Sequence, residues 1–347
     1  MGLGLRWLVS FCMLIVPIAI TLGVLFPLQE RHRSSGAKGS VLGDGGGSMT
    51  DPGSPGGSAP SKPKNNNVEL ETSCDQFAGM GLDRFWANGQ QQYTFNPNQW
   101  GLDSGAKSGM CMNVLFNNNG TYYNGTAMRS DLAPPFQVTW QYSRAPEGQN
   151  NVHAFPNVKL ETAPIQFNTI NKVHVDFEWK YVSGNDNNTA SGTSALAASN
   201  NVDANVAIDM FADNDKKISS NNTNAAYEIM VWFAALGPSA FAIGQGKTPI
   251  VTTKTLTDEI SHEQTTFDLY ADKHPTTSQF VMTWKARGFT EVFHGDLFPL
   301  IDYLISSGNA SYPTKSAYLG SFGMGSEAYD SPSNVTFYVS DFAVKVT

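Results

Sequence analysis

The eleven residues KVHVDFEWKYV at 172–182 constrain the fold most. Val173, Val175, Phe177 and Trp179 share one face at period two, opposite His174, Asp176, Glu178 and Lys180, which is the pattern of an extended strand buried on one side. Five further stretches have strand length and composition: FQVTWQY (136–142), NVAIDMF (205–211), YEIMVWFAAL (227–236), SQFVMTWKA (278–286) and NVTFYVSDFAVKV (334–346). Asn, Gly, Asp and Pro punctuate them. With 15% charged residues, 12% aromatic residues and 32 Gly in 347 residues, the chain suits short strands and polar turns. The expected class is all-β, as two antiparallel sheets packed into one sandwich over 68–347, where no internal repeat occurs. One helix is expected outside it. Asp296 is its N-cap, Pro299 fits its first turn, Leu297, Leu300, Ile301 and Leu304 recur at helical spacing, and Gly308 ends it.

The N-terminal region is different in kind. Trp7 to Leu28 holds no charged residue, and these 22 residues as a helix at about 1.5 Å each would cross a hydrocarbon core of roughly 30 Å. Residues 1–33 are read as an uncleaved membrane anchor, with a cleaved signal peptide as the competing reading; the run exceeds the usual apolar core of a signal and no small-x-small site follows it. Arg31, Arg33 and Lys38 follow the run and only Arg6 precedes it, which by charge alone would put the C-terminal side in the cytosol. Residues 34–67 are Gly, Ser, Pro and Asn with almost nothing apolar, a flexible linker that cannot bury a core.

The net charge of −8 leaves no cluster of Lys and Arg for phosphates, so nucleic acid is set aside as a partner. Cys12 lies in the apolar run, leaving Cys74 and Cys111 as the one available pair, either bridged in an oxidising compartment or two buried thiols. Sequons at Asn119, Asn124, Asn187, Asn221, Asn309 and Asn334 are about as many as this composition gives by chance.

Chemistry enters through acids in apolar strands. In YEIMVWFAAL, Tyr227, Ile229, Val231 and Phe233 share one face while Glu228, Met230 and Trp232 share the other. Both faces are largely apolar, so an ionised Glu228 needs a partner or a wet cleft, unless it faces solvent from an edge. Asp209 in NVAIDMF is also an acid among apolar residues, beside Ala207 and Phe211. Glu327, in FGMGSEAYDS, follows a glycine-rich bend and alone is an ordinary loop glutamate. Acids on different strands are what glycoside hydrolysis uses: one carboxyl protonates the leaving oxygen and another attacks or activates water. Trp86, Trp100, Trp140, Tyr142 and Trp232 could supply rings for sugar C–H faces, or serve as core.

Taken together these segments resemble glycoside hydrolase family 12, the small β-jelly-roll endoglucanases that include xyloglucan-specific members. TSCDQF (72–77), NQWG (98–101), Cys111, WQYSRAPEGQNNVHAFPNV (140–158), ANVAIDMF (204–211), YEIMVWFAALG (227–237), GDLFPLIDYL (295–304) and GSEAYDS (325–331) occur in the family's order. The resemblance implies a β-jelly-roll catalytic domain over 68–347, a retaining mechanism with Glu228 as nucleophile, Glu327 as acid/base and Asp209 tuning the nucleophile. It places Asn98, Trp100, Met230 and Trp232 in the cleft and pairs Cys74 with Cys111; of the remaining rings, Trp140 is taken as a further substrate contact. It implies a β-glucan polysaccharide as partner, a monomer, no metal or organic cofactor, and an extracellular or secreted catalytic domain. GPSAFAIG (237–244) departs from the family's G-P-I-G, and 115–135 and 183–202 read as polar insertions.

Endo-β-1,4-glucan hydrolysis is the expected function, with xyloglucan specificity as the narrower alternative. The rival from another class is a non-catalytic carbohydrate-binding jelly roll. HEQTT at 262–266 lacks the second His of a zinc protease helix, and no GxSxG elbow occurs.

Overall fold

The computed structural model describes residues 68–74, 80–81, 92–100, 109–117, 122–124, 127–129, 131–144, 152–184, 192–199, 201–247 and 250–347. The expected anchor at 7–28, the linker at 34–67 and Trp86 lie outside them. Among the described residues no helix is long and apolar enough to cross a membrane.

The first half of the chain gives β1 (Val68–Ser73), β2 (Met80–Gly81), β3 (Gln92–Asn96), β4 (Gly109–Asn117), β5 (Tyr122–Asn124), β6 (Ala127–Arg129), β7 (Phe136–Tyr142), β8 (Asn157–Glu161), β9 (Ile165–Gln166) and β10 (Val173–Ser183). After α1 (Thr193–Ser199) come β11 (Asp203–Asp213), β12 (Tyr227–Leu236), β13 (Thr253–Thr257), β14 (Gln264–Lys273), β15 (Phe280–Ala286), β16 (Val292–Asp296), α2 (Phe298–Ser306), β17 (Tyr318–Gly325) and β18 (Ala328–Val346).

Two sheets form the sandwich. One runs β1-β4-β7-β18-β10-β16, and the other runs β13-β14-β15-β12-β11-β17-β8-β3-β2. The 19-residue β18 joins them: Ala328 and Asp330 pair with β11, and Val335 to Val346 pair with β10 across the sandwich. The inner faces meet through rings, as where Phe177 of β10 and Phe233 of β12 stand with centroids 4.5 Å apart. Burying each such ring contributes roughly 1.5–3 kcal/mol. The period-two face of β10 behaves as its pattern demands, with Val173, Val175, Phe177, Trp179 and Tyr181 all buried.

The structure corrects three expectations. β12 and β15 run parallel, because the hairpin β13–β14 carries the chain across before β15 inserts between β12 and β14. A second helix, α1, occupies the stretch read as a polar insertion. Its TSALAAS sequence has only Leu196 as a large buried apolar residue, too little to show a helical period, and it is tied to the sheet by the Tyr181 N–H donating to Thr193 Oγ1 at 2.9 Å. The segment before Glu327 is a strand and not a bend. Its glycines allow close backbone approach: a Cβ on Gly320 would lie 2.1 Å from the Ser219 carbonyl carbon, and one on Gly325 would lie 2.2 Å from the Pro156 carbonyl oxygen. The expected helix exists as α2, although Leu297 takes the cap position while Asp296 Oδ1 accepts the Phe298 N–H at 2.9 Å.

Candidate active site

The outward face of the second sheet is built in rows. Thr283, Met230, Asp209, Gly323 and Lys159 align across five strands; beside them run Lys285, Trp232, Ala207, Gly325 and Asn157 on one flank, and Val281, Glu228, Phe211 and Ser321 on the other. Period two explains why one strand serves both sides: Ile229, Val231 and Phe233 turn into the core, while Glu228, Met230 and Trp232 turn out. Asp209 and Glu228 are diagonal neighbours on this face, a spacing of about 7–8 Å between backbones that carboxyl groups can close.

Over this face lies a cleft of about 910 Å3 whose walls include Glu228, Asp209, Glu327 and Tyr329. Glu327 stands in the two-residue joint between β17 and β18. Asn205 clamps it: its Oδ1 accepts the Glu327 N–H at 2.9 Å, its own N–H donates to the Glu327 carbonyl at 3.2 Å, and its Nδ2 donates to Glu327 Oε2. The Tyr329 hydroxyl donates to the same Oε2 at 2.7 Å.

Electrostatics couples the three acids. Burial, then the charges of Glu228 and Glu327, raise Asp209 well above the usual carboxylate range. Burial, then the charge of Glu327, raise Glu228. Burial also raises Glu327, against the hydrogen bonds from Tyr329 and Asn205 that favour its charge. Like charges this close do not all ionise together. Among the described residues no cluster of His, Cys, Asp and Glu of metal-binding kind occurs.

The structure brings Asn98, Trp100, Met230 and Trp232 to the cleft. Asn98 adopts φ 44°, a left-handed conformation that Asn tolerates, and Trp100 follows with its N–H on the His153 carbonyl at 2.9 Å. Trp140 and Tyr142 do not join them. Both are fully buried on β7, and their rings stack on each other at 5.6 Å. Trp140 supports the site from beneath: its Nε1 donates to the Tyr181 hydroxyl at 3.2 Å, that hydroxyl bonds Ser326 Oγ at 2.6 Å, and Ser326 Oγ donates to the Asn205 carbonyl. Cys74 and Cys111 are bridged. Asn205 and Tyr329 escaped the sequence reading: Asn205 meets Glu327 across 122 positions, and Tyr329, two residues beyond Glu327, matters only because of that neighbour.

Residues 91–347 match the family described as Glycosyl hydrolase family 12. The chain belongs to glycosyl hydrolase family 12. It is a glycoside hydrolase, an endo-acting enzyme on β-1,4-glucan backbones. Xyloglucan-specific endo-β-1,4-glucanase A of Emericella nidulans is 27% identical over 250 residues, covering 72% of this chain and 84% of that protein. The probable xyloglucan-specific endo-β-1,4-glucanase A of Aspergillus clavatus is 31% identical over 211 residues, covering 61% and 73%. Among solved structures, Trichoderma harzianum endoglucanase 3 superposes with a TM-score of 0.54 at 23% identity, over 80% of this chain and 98% of that one. The catalytic domain of Humicola grisea Cel12A gives 0.56 at 20%, over 80% and 99%. These structures share the fold.

Proposed function

We propose that this family 12 enzyme cleaves its glucan by double displacement, with Glu228 attacking the anomeric carbon and Glu327 serving as acid and then base. One observation supports this reading above others: three carboxyls from three chain segments share one cleft, where burial raises the proton affinity of each and the charge of Glu327 raises that of Glu228 and Asp209 further. A site that resists full ionisation retains protons over a wide pH range. With the charge on Glu228 and a proton on Glu327, the nucleophile and the acid stand ready together. Asp209 holds a further proton beside Glu228 and limits the charge on it. The Asn205 and Tyr329 donors on Glu327 Oε2 stabilise the carboxylate left after the proton goes to the leaving oxygen, and that carboxylate then deprotonates the incoming water.

Proton NMR of the first product tests the mechanism. A β-anomer supports double displacement, which calls for carboxyls about 5–5.5 Å apart; an initial α-anomer would mean that one carboxylate activates water instead. Glu228→Gln and Glu327→Gln should each nearly abolish turnover, and only the latter should be partly rescued by a substrate with a good leaving group.

Xyloglucan is the narrower reading of the substrate, favoured by relatives whose names state that specificity. Product profiles on xyloglucan, mixed-linkage glucan and cellulose decide it. The uncharged run 7–28 supports anchoring in a membrane, with the catalytic domain carried outside the cell on the 34–67 linker.

A further inference from the structure

The segment GPSAFAIG, which departs from the family pattern, puts an unusual residue into the cleft. Phe241 lines it and is 60% exposed, while Ala240 and Ala242 on either side are buried. Exposing a benzyl side chain forfeits hydrophobic free energy, yet the backbone here is held from several directions. The Ala240 carbonyl accepts from Lys285 Nζ at 3.3 Å, and the Ala242 N–H donates to Gln245 Oε1 at 3.2 Å. Lys285 Nζ also donates to Gln245 Oε1 at 3.1 Å and lies 5.8 Å from the centre of the Trp232 ring. At the start of the loop, the Ser239 N–H and hydroxyl donate to the Asp203 carboxylate at 3.1 and 2.7 Å. Gly237 takes φ 73°, and a Cβ on it would stand 1.8 Å from Asp203 Oδ1, so the turn into the loop is fixed.

The loop leaves the end of β12 beyond Trp232, itself four residues or about 13 Å along the strand from Glu228. Trp100, 41% exposed, Trp232 and Ile243 share the cleft with Phe241. A rigidly held, wet aromatic ring in a sugar cleft offers its face to the C–H groups of a pyranose.

We propose that Phe241 is a substrate-binding platform that stacks on a sugar ring of the glucan away from the cleaved bond, and that Lys285 is the positioning residue that holds its loop against Trp232. This deepens the reading above and rests on it for the class of substrate. Two measurements separate the two proposals. In the full chain carrying Glu228→Gln, cellohexaose binding by calorimetry should weaken about tenfold with Phe241→Ala and stay close to the parent with Phe241→Trp. In the active enzyme, Phe241→Ala should raise the KM for soluble β-glucan by a similar factor with less than about a twofold change in kcat. Lys285→Met, which keeps the aliphatic stem, should move KM in the same direction at a parental Tm. Equal binding by Phe241→Ala and its parent overturns the proposal, as does an equal loss in the Ala and Trp variants, which would mark a packing role. If the active enzyme hydrolyses no β-1,4-glucan but the binding difference persists, the catalytic reading falls and the platform stands; if the parent does not bind cellohexaose, both fall.

Discussion

At the residue scale, the three acids set up a conflict between stability and activity. Burial raises the pKa of Glu228 in the folded state above its unfolded value, so the native state holds the proton more tightly. The unfolded chain ionises first as pH rises, and stability falls from about pH 4.5 upward until the native group ionises too. Glu228→Gln removes this cost, and we expect a Tm about 2–4 °C higher at pH 7 in a protein with almost no turnover, measured by calorimetry beside an activity assay. At pH 3, where both states are protonated, the gain should vanish. Asp209→Asn replaces the acid that burial and the charges of Glu228 and Glu327 hold protonated with an amide that cannot exchange that proton. The pH–rate profile should shift while kcat/KM falls about tenfold or more; an unmoved profile would take Asp209 out of the site. Asp209 and Glu228 were legible in sequence because an acid within an apolar period-two run contradicts its surroundings. Glu327 carried no such signal, and only the family resemblance distinguished it.

At the element scale, tight turns and bare strands matter most. The turn after β13 is organised by Asp258, which is buried and accepts the N–H groups of Ile260 at 2.9 Å, Ser261 at 2.6 Å and His294 at 2.6 Å. Burial alone would raise its pKa, but these donors outweigh it and hold the carboxyl down at about 2. Its folded pKa is thus depressed, so the stabilisation is present above about pH 4 and is lost as pH falls towards 2. Asp258→Ala should cost about 1–3 kcal/mol at pH 7 by denaturant titration, and the difference from the parent should shrink below pH 3. The glycines of β17 show why this strand reads as a bend. YLGSFGMG has the composition of a turn, but its glycines answer to backbone from Ser219 and Pro156 pressing against them, which no local pattern announces. Gly325→Ala should therefore unsettle the joint that carries Glu327, lowering both Tm and kcat.

At the scale of the whole molecule, the Cys74–Cys111 bridge ties the β1 edge back to β4 across 37 residues. In the chain-entropy picture, closing such a loop is worth about 3–4 kcal/mol, and reduction should lower the stability of the catalytic domain by that order in an unfolding titration. The uncharged N-terminal run leads to a different expectation: the full-length protein should sediment with membranes, and the portion from Val68 onward should be soluble and active. A natural product that is soluble and processed at its N-terminus would overturn the anchor.

Periodicity and composition by themselves located β7, β10, β11, β12, β15 and the second part of β18, and in β10 and β12 sorted the side chains into two faces, because alternation is a local property of an extended chain and survives without knowledge of neighbours. FQVTWQY and YEIMVWFAAL become β7 and β12 with the same limits, and the disputed acid of β12 shares a face with Met230 and Trp232 as period two required. Which buried rings are core and which are cleft was decided only by tertiary structure. Trp140 and Trp232 each sit among apolar residues in a strand, but the first is covered by the opposing sheet and the second borders the groove. Pairing partners, the parallel step between β12 and β15 and the Asn205 clamp on Glu327 likewise join residues far apart in sequence. Those contacts depend on how strands are ordered across two sheets, and the packing of the whole sandwich sets that order.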